Sequence, residues 1–505
     1  MLERELKFYI PNGQVDGLAQ HVQQLSPRTQ LLHAIYYDTQ EAVLAGAKAA
    51  LRLRLEGNQW VQTLKLAGPD ELSTLELNHP VEQPELNLDL YRHHPQAAFL
   101  LELGPYLLPK YETHVTRQIV DLWHQDTKIE LALDLGSIQS QGLQLAIQEI
   151  EFELIEGDVA DLFTVGADWL SQHQLIIELR SKSERGTLLV AAATQHNDKA
   201  VTLEPAQYLA QSGFRLPPLS ADTTGTLLSC YQDISSAYLS QVIRNAAFLA
   251  RVDNLHASPA QQAEYLTLMR VGIRRLRAYR QLFQPWLSPT EKQLNRALRA
   301  HFRHFGVARD QDLLRLEVLP ALRAAGLPET TPVPEPSTHP VDPSGLAASV
   351  AFQHCLLANL ALLVTERTTV ATSLSGEELS EALNQRLKTQ FKRIQKRSRR
   401  FATLPPAQQH RLRNRIKNLS YCLEVLGSKK QAPLLAELQR IQRRLGKIMD
   451  VDVALRWCAR HVQDDEQRGW ALGWLTATRQ QQSRRVLKRF KKLRALRFSG
   501  KERGH

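Results

Sequence analysis

Through the first 155 residues, polar and apolar positions alternate every second residue in one segment after another, which is the period of a strand with one buried face. The pattern predicts strands at Leu2–Phe8, Ala50–Leu55, Trp60–Leu66, Thr74–Leu77, Thr113–Leu122, Lys128–Leu135 and Ile147–Ile155. In each, one face is Leu, Ile, Val or Phe and the other carries charge: Glu3, Glu5 and Lys7 in the first, Arg52 and Arg54 in the second, then Lys65, Glu76, Arg117, Glu130 with Asp134, and Glu149, Glu151 and Glu153. A half-exposed sheet with solvated charges explains any one of these strands. Seven in succession, with acids and bases in separate runs, point instead to a charged lumen. Helical spacing at Val15–Leu25, Asp89–Leu100 and Val159–His173 supplies cover for the apolar faces, so the expected fold is an antiparallel barrel with helices packed outside.

The pattern changes after this. Ala191–Pro218 reads as a polar connector with a short helical piece around Glu204–Ser212, and from Thr223 apolar residues recur at helical spacing. The large interruption is Pro328–Pro343, where six prolines in sixteen residues forbid regular structure. The predicted organisation is α+β: a barrel domain over 1–190, a connector over 191–219 and an all-α domain over 220–500, in two halves at about 220–327 and 345–500. Those halves repeat each other. Arg270, Ile273, Arg274 and Leu276 align with Arg413, Ile416, Lys417 and Leu419 at an offset of 143 residues, and Gly306, Asp310 and Asp312 align with Gly446, Asp450 and Asp452 at an offset of 140. On a helix Arg270, Arg274 and Arg277 form one basic stripe, and Arg413 and Lys417 repeat its first two steps, with His410 one turn earlier.

Composition sharpens the picture where charge is concerned. The chain has 505 residues and a formal net charge of +11. Residues 1–200 hold 15 Lys and Arg against 28 Asp and Glu, a net of −13, and the remainder holds 48 against 24, a net of +24. One half is built to gather cations and the other to gather polyanions. No apolar run approaches the roughly 18 residues of a membrane span, and the N-terminus lacks the pattern of a signal peptide, so a cytoplasmic protein with no membrane partner is expected. Cys230, Cys355, Cys422 and Cys458 have no metal-type spacing and read as isolated core thiols.

Glu3 and Glu5 on one strand face lie about 7 Å apart, where two carboxylates repel by about 2.4 kcal/mol at an effective dielectric of 20 and about 0.6 kcal/mol in water. In an enclosed site such a pair asks for a cation. Together with Tyr37-Asp38-Thr39, Leu51-Arg52-Leu53-Arg54, Thr63-Leu64-Lys65, Arg117, Glu149-x-Glu151-x-Glu153 and Ser181-Lys182-Ser183, the opening Glu3-x-Glu5-x-Lys7 resembles the CYTH domain of triphosphate tunnel metalloenzymes over about 190 residues. The resemblance implies an eight-stranded antiparallel tunnel that binds triphosphate with Mg²⁺ or Mn²⁺. Around Glu76 this chain departs from the family, with Thr74 and Asn78 where an Arg and a second acid are frequent. Carried over to this sequence, Arg52, Arg54, Lys65, Arg117 and Lys182 form the phosphate clamp, Glu3, Glu5, Glu149, Glu151 and Glu153 the metal cage, and Lys7 orients a terminal phosphate. Glu5 and Lys7 are the catalytic pair.

The helical half resembles the CHAD domain, the conserved-histidine α-helical domain often fused behind CYTH. His410-x-x-Arg413-x-x-x-Lys417-x-Leu419-x-Tyr421 and Leu445-Gly446-x-x-x-Asp450-x-Asp452 carry the likeness. Thr267 stands where the first repeat would have its histidine, and Ser420 replaces a frequent arginine, so histidine-based metal binding is weakly supported. Polyphosphate binding by Arg270, Arg274, Arg277, His410, Arg413 and Lys417 is what the resemblance implies. The basic segments Arg386–Arg400 and Arg484–Arg497 read as solvated helix faces, and no nucleic-acid motif accompanies them. The expected activity is metal-dependent hydrolysis of inorganic triphosphate. The alternatives are a class IV adenylyl cyclase, a thiamine or nucleoside triphosphatase, and a non-catalytic polyphosphate-binding scaffold. The sequence does not specify the oligomeric state.

Overall fold

The computed structural model describes residues 2–196, 213–219, 227–254, 257–328, 342–365 and 376–498. Two compact units divide the chain: Met1–Phe214 with Ile243–Tyr265 and Ser344–Glu366, and Arg215–Val242 with Leu266–Pro343 and Arg367–His505.

The first unit contains strands β1 (Leu2–Tyr9), β2 (Arg28–Asp38), β3 (Ala49–Glu56), β4 (Gln59–Ala67), β5 (Ser73–Val81), β6 (Leu108–His124), β7 (Thr127–Ser140), β8 (Leu143–Glu156) and β9 (Ile176–Ile177). Their order is β5-β4-β3-β2-β6-β7-β8-β1-β9, all antiparallel where paired. A further antiparallel pairing of β5 with β1, Leu2 opposite Leu75, closes the first eight strands into a barrel. Closure removes the sheet edges and turns one face of every strand inward. Helices α1 (Val15–Gln24), α2 (Val159–His173) and α3 (Lys182–His196) belong to this unit. Phe8 and Phe152 on the outer face meet edge to face, and Trp169 of α2 packs against Phe152. A Cβ on Gly166 of α2 would fall 2.5 Å from Leu6, so the missing side chain sets how closely this helix approaches β1.

The eight strands, the outer helices and the helical second half agree with the sequence reading, and three details differ. Strand β2 escaped the pattern because its apolar residues run together, Leu31-Leu32 and Ile35-Tyr36-Tyr37, while Leu31 stays 75% exposed. The expected helix over Asp89–Leu100 is instead two 3₁₀ turns, Leu88–Tyr91 and Pro95–Ala97, and a short helix at Phe99–Leu103. Pro95 explains the break, since it removes an N–H and holds His94 in an extended conformation (φ −103°, ψ 104°). The lumen is also charged on only part of its wall: Leu32, Ala34 and Tyr36 of β2 face inward and Tyr36 stacks on Tyr111 at 4.7 Å.

The longer helices that follow are α4 (Leu227–Leu249), α5 (Pro259–Phe283), α6 (Pro289–Leu313), α7 (Val350–Thr365), α8 (Gly376–Ser398), α9 (Pro406–Leu426), α10 (Ala432–His461) and α11 (Asp465–Ala495). The repeated sequences fall on two helix pairs, α5–α6 and α9–α10. Helix α6 starts with a capping box in which Ser288 and Glu291 satisfy each other's backbone N–H groups. Leu314, Leu322, Ala454, Cys458 and Leu475 form an apolar cluster, with Trp457 and Trp474 packed against it. No described helix is long and apolar enough to cross a membrane. The helical piece expected at Glu204–Ser212 and most of the proline-rich stretch lie outside the described residues.

Candidate functional site

Strand register determines which charges meet inside the barrel. Glu5 lies opposite Glu153 and Lys7 opposite Glu151 across β1–β8, Asp134 opposite Glu149 across β7–β8, and Lys65 opposite Glu76 across β4–β5. The lumen is a cavity of ≈ 310 Å³, and ten expected residues line it: Glu3, Glu5, Lys7, Arg52, Arg54, Lys65, Arg117, Glu151, Glu153 and Lys182. Glu149 is not among the lining residues; its carboxylate is taken by Lys182 and, at 3.2 Å, by Arg185.

Two electrostatic regions share the lumen. The first is a closed knot. Arg117 donates through Nε and Nη2 to Asp134 at 2.7 and 2.6 Å and through Nη2 to Glu151 at 2.6 Å. Lys182 Nζ reaches Asp134 and Glu151, each at 2.7 Å. Burial alone would push these groups toward their neutral forms, yet mutual attraction wins: Glu151 is held well below the usual carboxylate range by Lys182 and Arg117, and Lys182 well above the usual lysine range by Asp134, Glu149 and Glu151. Lys182 is the first residue of α3, whose start is capped by Ser181 Oγ accepting from the Glu184 N–H at 3.1 Å. Tyr111 fixes the helix on the barrel by donating to the Ser183 carbonyl at 3.1 Å, and its ring leaves no room for a side chain at Gly186. Behind the knot, Arg185 donates to both oxygens of Asp253 at 2.9 Å, and Arg180 pairs with Glu178 and Asp253.

In the second region the balance goes the other way. Burial, followed by the neighbouring carboxylates, pushes Glu3, Glu5 and Glu153 upward. Burial and then Arg52 pull Lys65 down to about 8 and Arg54 down to about 10. Arg54 donates to Glu56 at 2.6 Å, yet for each of these groups burial outweighs the opposite charge beside it. Lys65 still contacts Glu76 and, at 3.7 Å, Glu3, which gives β5 its part in the site: it carries the acid that anchors Lys65. The carboxylate oxygens fit a hard divalent ion by donor type, and such an ion would offset the burial and mutual repulsion that push them upward. Asp134, Glu149 and Glu151 also bring one oxygen each within 4.8 Å of the others, but Lys182 sits among all three.

The second unit has its own cavity, of ≈ 450 Å³, where the two repeats converge. Arg270 and Arg274 of α5 line it together with His410, Arg413 and Lys417 of α9, and Thr267 lines it at the position matching His410. Arg309 enters as an unforeseen cation and donates to Asp450 at 3.0 Å. Arg277 is not among the lining residues: seven residues along a helix displace it by about 10 Å, beyond the cavity's end, where Arg299 and Arg303 press on it. Burial and neighbouring guanidinium groups lower Arg270 to about 9, Arg413 to about 10 and Lys417 to about 5.

A sequence model of the CYTH domain matches residues 1–187, and one of the CHAD domain matches residues 246–459. The chain carries a CYTH domain followed by a CHAD domain. A protein of Haemophilus influenzae described as "Inorganic triphosphatase" is 35% identical over 162 residues, which is 30% of this chain and 44% of that protein's length. Among solved structures, the CHAD domain from the plant Ricinus communis is 23% identical, covers 57% of this chain and 98% of its own, and superposes with a TM-score of 0.40. A Hippeastrum protein whose structure is described as revealing a dominant triphosphatase activity is 17% identical, covers 40% of this chain and 99% of its own, with a TM-score of 0.27.

The sequence put Glu76 and Asp134 on charged strand faces without a role in the site, and gave none to Arg185 or Asp253, which lie behind the knot. The alternation of β7 placed Asp134 on the charged face, and its register with Arg117 was the missing link. Asp253 carries no such signal, because only the tertiary fold brings it to Arg180 and Arg185.

Proposed function

We propose that the CYTH lumen hydrolyses inorganic triphosphate to pyrophosphate and phosphate with Mg²⁺ or Mn²⁺, and that the CHAD cavity binds polyphosphate. The observation that carries the first part is the pairing, within one closed lumen, of half-buried carboxylates pushed toward protonation with half-buried cations pulled toward neutrality. A metal–triphosphate complex would relieve both at once. Glu3, Glu5 and Glu153 would hold the ion, with Glu151 beside them, and the ion would neutralise phosphate charge and polarise a phosphoryl oxygen. Arg52, Arg54 and Lys65 would grip the phosphates, the arginines through bidentate forks. Lys7, 3.9 Å from Glu5 and opposite Glu151 in the strand register, lines the lumen beside the acidic wall and would orient the terminal phosphoryl group. Arg117 and Lys182, held by Asp134 and Glu151, keep the acidic wall in place. Glu149, behind Lys182, would act through that lysine. Phosphoryl transfer passes through a loose transition state, so positioning and charge compensation of this kind supply most of the catalysis.

A phosphate-release panel over triphosphate, ATP, pyrophosphate and long polyphosphate tests the reading. Triphosphate with Mg²⁺ or Mn²⁺ should release phosphate fastest. Inactivity on triphosphate with either ion would leave a binding scaffold, and cyclic AMP formation from ATP would establish a cyclase. The CHAD part rests on the six Arg and Lys side chains that line one cavity, Arg270, Arg274, Arg309, Arg413, Lys417 and Arg456. Its test is competition between polyphosphate and duplex DNA at physiological salt: a shaped cavity prefers the thinner, denser polymer, whereas equal displacement by DNA would reduce the cavity to a nonspecific basic surface.

A further inference from the structure

On the outer wall of the barrel, a second donor cluster stands apart from the lumen. His33 of β2 lies directly opposite His114 of β6, and Glu112 precedes His114 by two residues, so all three side chains project from the same face. His33 Nε2 is 2.8 Å from Glu112 Oε2, and His114 Nε2 is 3.6 Å from the same oxygen. The imidazoles stack with centroids 4.5 Å apart and planes 8° from parallel. One ligand atom from each residue falls within 4.8 Å of the other two. His33 is 33% exposed at its side chain, and Glu112 and His114 are both 47% exposed, so an ion has an open path.

We propose that His33, Glu112 and His114 form a binding site for a borderline divalent transition metal of the Zn²⁺ class, chemically distinct from the lumen. Two imidazole nitrogens and one carboxylate oxygen are the donor set such ions prefer, whereas the all-carboxylate wall inside the barrel suits Mg²⁺ or Mn²⁺. Donor separations of 2.8 and 3.6 Å bracket the edge of about 3.4 Å that a tetrahedron with metal–ligand bonds near 2.05 Å requires. Stacked rings aim their in-plane lone pairs side by side, so convergence on one ion requires each ring to turn about its Cβ–Cγ bond. That torsion is broad and soft, and the exposed face leaves room for it. Three protein ligands leave the fourth position to water. The ion would bridge β2 to β6, the strands whose inward residues include Ala34, Tyr36, Thr113, Val115 and Arg117, and so would brace that side of the tunnel.

Trp60 provides a local reporter, its ring centred 6.1 Å from that of His33. The test is calorimetric titration of the untagged full-length protein with Zn²⁺ in saturating Mg²⁺, followed by titration with Cu²⁺ read by tryptophan quenching. One Zn²⁺ should bind with an affinity that falls at least tenfold in His114→Ala and further in the His33→Ala/His114→Ala double variant. Both variants should keep triphosphate turnover, which shows that they fold. Glu5→Gln should retain the Zn²⁺ site, and Trp60→Phe should lose most of the Cu²⁺ quenching while binding Zn²⁺ as before. Unchanged Zn²⁺ uptake in the double variant, or loss of that uptake in Glu5→Gln, would place the ion elsewhere and overturn the assignment. So would the absence of any Zn²⁺ binding in the wild-type protein.

Discussion

The tunnel and the helical cavity both gather cations out of full contact with water, and they treat most of them in opposite ways. In the tunnel Arg117 and Lys182 sit among Asp134, Glu149 and Glu151 and are held more firmly charged than in water. In the cavity Arg309 is held charged by Asp450, but burial and neighbouring guanidinium groups pull Arg270, Arg413 and Lys417 the other way, Lys417 down to about 5, with Asp310, Asp450 and Asp452 as the acids among the lining residues. A site that positions a small substrate needs rigid walls, and internal ion pairs make them so. A site for a long polyanion can leave its cations under-compensated, because the ligand itself supplies the missing charge. The tunnel combines both devices: its knot is held charged, whereas Glu3, Glu5, Glu153, Lys65 and Arg54 stay displaced toward their neutral forms even though Lys65 meets Glu76 and Arg54 meets Glu56.

The largest effect should come from breaking the uncompensated part of the tunnel. Glu5→Gln keeps the shape and removes a carboxylate, and triphosphate turnover should fall by two or more orders of magnitude, on the order of what loss of one preorganised electrostatic group costs. Wild-type turnover at saturating Mg²⁺ would sink the acidic-wall assignment. The same variant tests the linkage. Glu3, Glu5 and Glu153 are raised above their unfolded values, so the fold retains protons that the unfolded chain has released, and stability declines as pH rises through the window from about 4.3 upward. Mg²⁺ should therefore raise Tm most at neutral pH and least near pH 4.5, and Glu5→Gln should shrink that rise. A smaller loss is expected from the basic wall. Arg54→Ala should lower kcat/KM by roughly 10- to 100-fold, the equivalent of one or two charge-assisted hydrogen bonds. Extra Mg²⁺ should leave the defect in place, and full rescue would mean that Arg54 belongs with the metal.

How much of this was legible beforehand depended on whether the information was local. Alternation assigned Glu3, Glu5, Lys7, Arg52, Arg54, Lys65, Arg117, Glu151 and Glu153 to one face of each strand, and barrel closure then had to bring them together. Lys182 came from a motif, and its structural basis, a capped first turn of α3, was not visible as a strand signal. What stayed hidden was set by register. Glu149 shares the face of Glu151, but pairing across from Asp134 places it behind Lys182, and no period-2 rule can foresee that. In the helical half, the 143-residue offset made Arg270 equivalent to Arg413 and Arg274 to Lys417. Their convergence on one cavity needed the packing of α5 with α9, and Arg309 has Met449 at its repeat-equivalent position, so the repeat gave no hint of it.

The contrast between paired and unpaired cations is sharpened by Lys417. Burial, then Arg274, Arg413 and Arg309, lowers its pKa to about 5, so at neutral pH it is uncharged until an anion arrives. Polyphosphate binding should take up protons, a difference that calorimetry in buffers of unlike ionisation enthalpy detects, and affinity should climb as pH falls from 9 toward 6. Lys417→Met should weaken binding by about tenfold, in line with one charge-assisted contact, and lose part of the proton uptake. Its effect on stability has the opposite sign. Between an unfolded pKa of about 10.4 and the folded value of about 5, only the unfolded chain holds the proton, so wild-type stability falls as pH drops through that window. The methionine variant should be the more stable protein, with a margin that widens from pH 9 to pH 6. A constant margin, with unchanged proton uptake, would mean that Lys417 stays charged in the empty cavity.

The smallest effect separates the two repeats from each other. Gly306 in α6 and Gly446 in α10 are repeat equivalents, and each faces the guanidinium of its own repeat: a Cβ would lie 3.5 Å from Arg270 Nη1 at the first and 3.8 Å from Arg413 Nη2 at the second. Both are ordinary contacts, so neither glycine is demanded by packing. Alanine at a helix-interior glycine gains roughly 0.5–1 kcal/mol, and both Gly306→Ala and Gly446→Ala should raise Tm by a few degrees. Only Gly306 lines the cavity. Its added methyl group should hinder a phosphate chain lying along α6 and cut polyphosphate affinity by about two- to fivefold, on the order of 0.4–1 kcal/mol, while Gly446→Ala should bind as the wild type does. Equal losses in both variants would mean that the polymer follows the pseudo-symmetry of the repeats, and an unchanged affinity in both would move it away from α6 altogether.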